Sequence, residues 1–521
     1  MKKATSTFPT KPNLDPKATL LVWLVPFLLS LLLYGFTCQK TTSWQDSGMF
    51  QYRIRHGDYS GELGIALAHP TYIGLARGLA SLPVGNFYWR VNILSSLAMA
   101  VTVGNFALVV FLLTRKAGPA IAASGMLAVM HISWWLGTIA EVYTLSAAGL
   151  TSELVFLVCL LQRPRTWMLM ALGLLSGLGW GVHNFSLLAM PVYLVVTLVL
   201  LRRKRLPWGA LPAAMLVWVI GALPNLVLIW WEATASGLIV AVRSALFGRF
   251  QQQVLNPAAP GRFFKINMAL TALSFASFVL PLAALGAWRW KRWMPPTLAI
   301  SLAAVTVIHV LFFVRYPVPD QFTFLLPSAV MIALWAGVGL ANLMSSASRR
   351  WRIAGIAAAV ASIVLPPLLY ASGPWLAKQA GISVQRERPL MYRNEIRYWL
   401  VPWKHDERSA QQYADHAIRQ VTSGTTGQSV ILADTTTYWP IELTREDRRL
   451  AEVSVGTSER ILRGLLPTPS TDFLREWVRE SRVYTVRPRE RLRTDQTDLE
   501  VDSYRPQNAP LWKVVGSDPS R

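Results

Sequence analysis

The sequence predicts a polytopic α-helical membrane protein of about eleven spans, followed by a small C-terminal extracytoplasmic α/β domain. Three observations predict it. Of the 521 residues, 53% are hydrophobic and only 15% charged, where a soluble chain carries about a quarter. Apolar runs of about 20 residues, long enough to cross a hydrocarbon layer roughly 30 Å thick, recur from residue 19 to residue 372. Short clusters of Arg and Lys stand at alternate ends of these runs, which is how topology is encoded.

Each element follows in order. MKKATSTFPTKPNLDPK, with Lys2, Lys3, Lys11 and Lys17, places the N-terminus in the cytoplasm. The apolar run behind it is long and lacks a clear cleavage site, so it reads as a retained first helix over 19–38 rather than a signal peptide. A large first outer loop, 39–91, comes next. Inside it ELGIALAHPTYIGLARGLASLP is only moderately apolar with Pro near both ends; as a span it would break the charge alternation, so it reads as an interfacial helix. The second span returns to Arg115 and Lys116, and the third leaves near Trp135. The fourth begins after Glu141 and re-enters at Arg163 and Arg165; the fifth exits at His183 and the sixth returns to the cluster Arg202 to Arg205. The seventh exits at Trp231–Glu232, the eighth returns at 289–293, the ninth exits at Arg315 and the tenth returns at 349–352. The eleventh, 353–372, exits for good.

This divides the chain into a membrane domain, 1–372, and an extracytoplasmic soluble domain, 373–521. In the latter, DERSAQQYADHAIRQVTSG has helix periodicity, and QSVILADTTTYWPI reads as a buried strand ending in a polar turn. RILRGLLPTPSTDFLREWVRES suggests further helices, while RVYTVRPRE and LWKVVGS read as short strands.

The formal charge of +23 does not indicate nucleic acid, because the basic residues sit at span ends and no binding module accompanies them. The only cysteines, Cys38 and Cys159, fall in or beside spans, which argues against a disulfide framework or a zinc site. An exported domain without cysteine and no organelle signal point to a bacterial inner membrane, N-terminus inside and C-terminus outside.

Ionisable residues gather on the outer side. Asp46 stands just past the first helix, where a carboxylate meets both headgroups and water and can serve as a base toward a hydroxyl. The plainer alternative is a solvated loop aspartate capping a short helix, since Asp-Ser-Gly is also turn chemistry. His69, Glu141, His183 and Asp320 each fall at the outer end of a span or in an outer loop. One such residue is commonly a cap or anchor; several on one face suggest a cavity. Arg315 and the loop 232–267, with Arg243, Arg249, Arg262 and Lys265 among aromatics, suit a lipid phosphate. Asp46, His69, Glu141 and His183 also have the atoms for Mg, Mn or Zn, but no pair has diagnostic spacing, so neither a metal nor any other cofactor is assigned. No P-loop, nucleotide fingerprint, zinc-peptidase motif or GxSxG elbow is present.

An acidic residue in a large first outer loop, many spans and an external tail resemble the GT-C superfamily of polyprenyl-phosphate-sugar-dependent glycosyltransferases. More narrowly, four stretches resemble the family of transmembrane protein 260, a protein O-mannosyltransferase. They are DSG at 46–48, AHPTYIGLARGLASLPVGNFYWRVNILSS at 68–96, WWLGTIAEVYTL at 134–145 and GLGWGVHNFSLLAMP at 177–191. Arg90–Val91–Asn92, the run Ala140 to Tyr143, and His183 are the most specific parts. VPDQFTFLLPS and ILADTTTYWP are weaker echoes. Three features depart from the pattern: Met49 replaces a Glu, Pro70-Thr71-Tyr72 replaces Pro-Pro-Gly, and the distance from Asp46 to His69 is longer. Glu62 is the candidate for the missing carboxylate.

The resemblance implies that a lipid-linked sugar in the outer leaflet is the donor, its phosphate held by basic side chains. It further implies that Asp46 orients or deprotonates an acceptor hydroxyl of a protein, glycan or lipid, which attacks the anomeric carbon with inversion. His69, Arg90, Glu141, His183, Arg243, Arg249, Arg315 and Asp320 are the expected substrate-binding residues. Expected partners are a polyprenyl-phosphate sugar, membrane lipids and a hydroxyl acceptor, and no nucleic acid. The alternative is a transporter or flippase of a lipid-linked substrate, which calls for ionisable residues near the midplane and matched broken helices. A third reading is an assembly protein that works through its external domain.

Overall fold

The computed structural model describes residues 15–61, 63–255, 264–316, 318–383, 390–423, 429–456, 482–487, 489–493, 498–504 and 509–514. Its helices run, in chain order, α1 (Pro16–Thr37), α2 (Gln45–His56), α3 (Pro70–Ala80), α4 (Phe87–Thr114), α5 (Ala117–Val129), α6 (His131–Leu136) and α7 (Val142–Gln162). Next come α8 (Thr166–Trp180), α9 (Ser186–Arg202), α10 (Ala210–Ser236), α11 (Leu238–Phe247), α12 (Gln251–Leu255), α13 (Phe264–Ser274) and α14 (Val279–Arg289). The last are α15 (Pro296–Arg315), α16 (Leu325–Met344), α17 (Arg349–Gln379), α18 (Glu395–Leu400), α19 (Ser409–Thr422) and α20 (Tyr438–Asp447). The strands are β1 (Ser429–Leu432), β2 (Val453–Gly456), β3 (Arg482–Thr485), β4 (Arg489–Arg493), β5 (Asp498–Tyr504) and β6 (Trp512–Val514). Two compact units result. The first comprises Met1–Cys38, Gly57–Trp375 and Trp399–His405; the second comprises Gln39–His56, Leu376–Tyr398 and Asp406–Arg521.

The first unit is a helix bundle. Among the described residues, seven helical segments are long and apolar enough to cross a membrane: α1, α4, α7, α10, α15, Gln321–Met344 and α17. The pair α13 and α14, bent by 71°, makes an eighth if counted as one span. Three further apolar helices, α5, α8 and α9, are shorter; the 15 residues of α8 rise only about 22 Å. All of them fall on apolar runs that the sequence marks. Sequence chemistry sets their ends. Asp15 caps α1 by accepting from Lys17 N at 3.0 Å, with Pro16 in the first turn. Asn86 caps α4 by accepting from Trp89 N at 2.8 Å.

Within the bundle, α4, α7 and α16 are mostly buried, whereas α1, α10 and α17 expose apolar faces. Leu20, Leu29 and Phe36 are 58%, 61% and 74% exposed. A stripe of this kind is tolerated where lipid is the solvent, and the chain is an integral membrane protein. Interhelical polar ties help to hold the core. Trp23 Nε1 donates to Asn105 Oδ1 at 2.8 Å, and Asn105 Nδ2 donates to Ser152 Oγ at 2.8 Å, linking α1, α4 and α7. Tyr193 OH of α9 donates to Glu153 Oε2 of α7 at 2.8 Å. The strap Trp399–His405 is bound into the same unit: His131 Nε2 donates to Trp399 O at 2.9 Å, and Thr138 Oγ1 donates to Pro402 O at 2.9 Å.

The second unit is built on a six-stranded sheet of order β2-β1-β3-β6-β5-β4. β1 pairs in parallel with β2 (Ser429↔Val453) and β3 (Ser429↔Arg482). The remaining neighbours are antiparallel: β3 with β6 (Tyr484↔Lys513), β6 with β5 (Ser503↔Val514), and β5 with β4 (Arg489↔Asp502). All four residues of β1, Ser-Val-Ile-Leu, are buried, as a parallel strand requires. The helix expected within DERSAQQYADHAIRQVTSG is α19, which buries Ala410, Tyr413, Ala414, Ala417, Ile418 and Val421 at helical spacing. The helices expected within RILRGLLPTPSTDFLREWVRES lie outside the described residues.

Candidate functional site

In the first unit, five side chains meet where α3, α4, α7 and the link from α8 to α9 converge. Pro70 opens α3, and His69 before it lies in the left-handed region, φ 52 and ψ 46. A non-glycine residue pays about 1–3 kcal/mol for such a conformation, and such strain clusters at working sites. The ring is held in return: Nδ1 donates to Val182 O at 2.7 Å. His183 lies parallel to it, ring centroids 5.4 Å apart and planes within 10°. Phe185 N donates to His183 Nδ1 at 3.1 Å. The rings of Phe185 and Tyr143 stand 4.3 and 5.4 Å from that of His183. Burial in this setting pushes the imidazole down to about 3, so His183 is neutral at physiological pH.

Glu141 is the extended residue ahead of α7 and is buried. Ser95 of α4 pins its backbone twice, Oγ accepting from Glu141 N at 3.1 Å and donating to Glu141 O at 3.2 Å. Its carboxylate acts on Tyr72 of α3. The Tyr72 hydroxyl is held above its ordinary range, first by burial and then by the charge of Glu141. His69, Tyr72, Glu141, Tyr143 and His183 therefore form one cluster in which imidazole and phenol rings gather around a carboxylate.

The arginines divide. Asn184, next to His183, holds α11 by donating from Nδ2 to Ala245 O at 3.0 Å and Leu246 O at 3.1 Å. Arg243 of α11 and Arg249 just beyond it are both exposed; Arg243 Nε bonds Gln251 Oε1. Arg90 donates from Nη1 to Val84 O at 3.4 Å and Gly85 O at 3.3 Å, closing the loop before α4. Arg315 ends α15, exposed and without an ion pair among the described residues. Asp320 reaches the cluster through rings. Burial, then its charge, holds the Tyr316 hydroxyl up; Tyr316 lies 4.8 Å from Phe324, which lies 5.1 Å from Tyr143. Glu62 and Arg262 lie outside the described residues.

Asp46 belongs to the second unit. Asp-Ser-Gly lies in the first turn of α2, a short helix. The helix is anchored from both ends. Trp44 Nε1 donates to Ser409 Oγ at 2.8 Å, Arg55 pairs with Asp447 at 2.8 Å and His56 with Glu446 at 3.0 Å. Between them Gly48 packs so closely that a Cβ would stand 2.4 Å from Ser43 O and 3.0 Å from Trp439 Cβ. Asp46 itself faces outward and is exposed. Desolvation by the surrounding protein holds its carboxyl above the usual carboxylate range, an effect that water at its exposed face moderates. An exposed carboxylate on a rigid helix is suited to proton transfer. Among the described residues no group of three His, Cys, Asp or Glu side chains is arranged to hold a metal ion.

Tyr72, Ser95 and Tyr143 were not singled out from the sequence. A signal existed: Tyr72 is three residues past His69, and Tyr143 two past Glu141, both inside the stretches that carry the resemblance.

A bundle of long apolar helices and a mixed-sheet unit define a polytopic membrane protein, and its fold has solved relatives. The fold is that of ArnT from Cupriavidus metallidurans. Its crystal structure bound to undecaprenyl phosphate matches with a TM-score of 0.55 and 13% sequence identity, covering 92% of this chain and 98% of that chain. The apo state of the same protein matches with a TM-score of 0.51 and 13% identity, over 94% and 97%. More particularly, residues 66–206 match the family model of the protein O-mannosyl-transferase TMEM260 N-terminal domain, the family the sequence resembles. That match includes His69, Arg90, Glu141 and His183 and leaves out Asp46. No curated protein matches the chain by sequence.

Proposed function

We propose that this protein is a membrane glycosyltransferase that moves a sugar from a polyprenyl-phosphate donor to a hydroxyl acceptor on the extracytoplasmic face. The observation that carries the reading is the family match over residues 66–206, because that segment bears the His69–Glu141–His183 cluster. The ArnT fold, solved in that protein with undecaprenyl phosphate, supports a lipid-phosphate donor. In this reading eleven segments cross the membrane, the N-terminus is cytoplasmic, and residues 373–521 form an α/β domain outside, in a bacterial inner membrane.

Chemically, the acceptor oxygen attacks the anomeric carbon from the face opposite the leaving group. The bond from that carbon to the phosphate oxygen breaks, and the polyprenyl phosphate leaves with the electron pair. Asp46 takes the acceptor's proton. Arg243 and Arg249 stabilise the charge that develops on the phosphate, so no acid is needed there. His69, Glu141 and His183 bind and orient the substrate, with Arg90, Arg315 and Asp320 contributing around them. Asp46→Asn should bind donor normally and transfer at least about a hundredfold more slowly, the size of effect expected of a general base; product from a donor of known anomeric configuration should be inverted. Retention of configuration, or full activity in Asp46→Asn, would remove Asp46 as the base. A transporter would move the labelled lipid across the bilayer with the sugar still attached.

A further inference from the structure

The end of α10 carries Trp230, Trp231 and Glu232. Both indoles are exposed, at 69% and 63%, and exposed tryptophan at a membrane boundary is usually an anchor. Trp231 differs from its neighbour because it lines a recess of about 170 Å³ together with Ser60, Gly61, Gly64, Leu228 and Glu232. The walls are built. Asp58 Oδ1 accepts from Ser60 N at 3.1 Å and Gly61 N at 3.0 Å, folding the loop on itself. Gly64, at φ +95, allows that loop to press on the 244–249 segment; a Cβ there would lie 2.9 Å from Gly248 Cα. Ser244 Oγ then ties the two walls, accepting from Ile65 N at 3.1 Å and donating to Glu232 Oε2 at 3.0 Å. Arg249 N donates to Leu63 O at 3.1 Å.

The chemistry of this recess is selective. It is well below the roughly 300–1,000 Å³ of sites for drug-sized ligands, so it takes one ring rather than an oligosaccharide. Glu232 uses one oxygen on Ser244, and its Oε1 has no hydrogen-bond partner among the described residues. An acyl chain would leave that carboxylate desolvated and unpaired, which is costly; an anion would be repelled. A ligand that fits needs an apolar face for the indole and a rim of hydroxyls to donate to the carboxylate. A sugar ring has both. The segment that carries Ser244 also carries Arg243, and the backbone N of Arg249 is the donor to Leu63 O, so this wall of the recess is basic in sequence, as suits a sugar that bears a phosphate.

We infer that the recess formed by Trp231, Glu232, Ser60, Gly61 and Gly64 is the sugar subsite for the lipid-linked donor, a hexose-sized ring stacked on Trp231 with its hydroxyls on Glu232. The inference rests on the donor reading above. It is tested with the full-length protein in nanodiscs, titrated with undecaprenyl phosphate and with undecaprenyl phosphate carrying mannose, glucose or N-acetylglucosamine. At least one sugar should strengthen binding to the wild type. Trp231→Ala and Glu232→Gln should each weaken that sugar-bearing lipid roughly tenfold, as expected for losing one hydrogen bond to a charged group or one ring contact. Neither should alter binding of the bare lipid, which also reports that each variant is folded; Trp230→Ala should change neither. If the wild type prefers a sugar-bearing lipid and the variants keep that preference, the subsite is wrong while the donor reading stands. Equal loss of bare and sugar-bearing lipid in the variants also overturns the subsite. If no sugar adds affinity in the wild type, both fall.

Discussion

Replacing His183 by Asn isolates the proton linkage of the buried cluster. The Asn amide oxygen can stand in for Nδ1 as acceptor of the Phe185 N–H, bonded at 3.1 Å in the wild type, but it cannot titrate. In the folded protein burial pushes His183 from its ordinary 6.5 down to about 3, so the unfolded chain binds a proton that the folded one refuses. Between these two values stability must therefore rise with pH and fall on acidification. At pH 5, about 1.5 pH units below the ordinary histidine value, the cost is about 2 kcal/mol at about 1.36 kcal/mol per unit. His183 is partly exposed, and solvent screening brings this to about 1 kcal/mol. The assay is unfolding in dodecyl maltoside by added SDS, followed by tryptophan fluorescence at pH 7 and pH 5. Wild type should lose about 1–2 kcal/mol more than His183→Asn over that interval. Parallel losses would refute the burial argument, since all other titrations are common to both proteins.

Gly48→Val should destabilise the second unit by about 1–3 kcal/mol, the usual cost of overpacking, because even a Cβ would stand 2.4 Å from Ser43 O; limited proteolysis of that unit measures it, and wild-type resistance would count against the packing. Tyr193→Phe should cost about 1–3 kcal/mol in SDS unfolding, since it strips Glu153 of a donor at 2.8 Å inside the bundle. Glu153→Gln, which still accepts that bond, should cost less than Tyr193→Phe; the reverse order would show that the charge rather than the hydrogen bond holds α7 to α9.

Much of the fold was legible in the sequence because burial in lipid demands apolar runs of fixed length, and those runs are α1, α4, α7, α10, α15, α16 and α17. The cluster was partly legible too. His69, Glu141 and His183 are polar residues at the ends of apolar helices, and such residues stand out. Partnerships did not show. That α2 is held by Ser409, Trp439, Glu446 and Asp447 depends on contacts across more than 350 residues, and hydropathy carries no information about them. The bonds from the Arg90 guanidinium to the carbonyls of Val84 and Gly85 are likewise a local tie that spacing does not reveal. Glu232 was passed over as a mark of where a span ends, because a charge at a helix end costs little. Its meaning depends on the recess around it.

The account stands most directly on one measurement, turnover of lipid-linked sugars by the purified wild-type protein in nanodiscs. Radiolabelled polyprenyl-phosphate sugars are supplied one at a time with a membrane extract as acceptor. The account predicts that label from one donor moves onto acceptor while polyprenyl phosphate is released in equal amount. Donor that binds but is recovered intact with every sugar tried would contradict it.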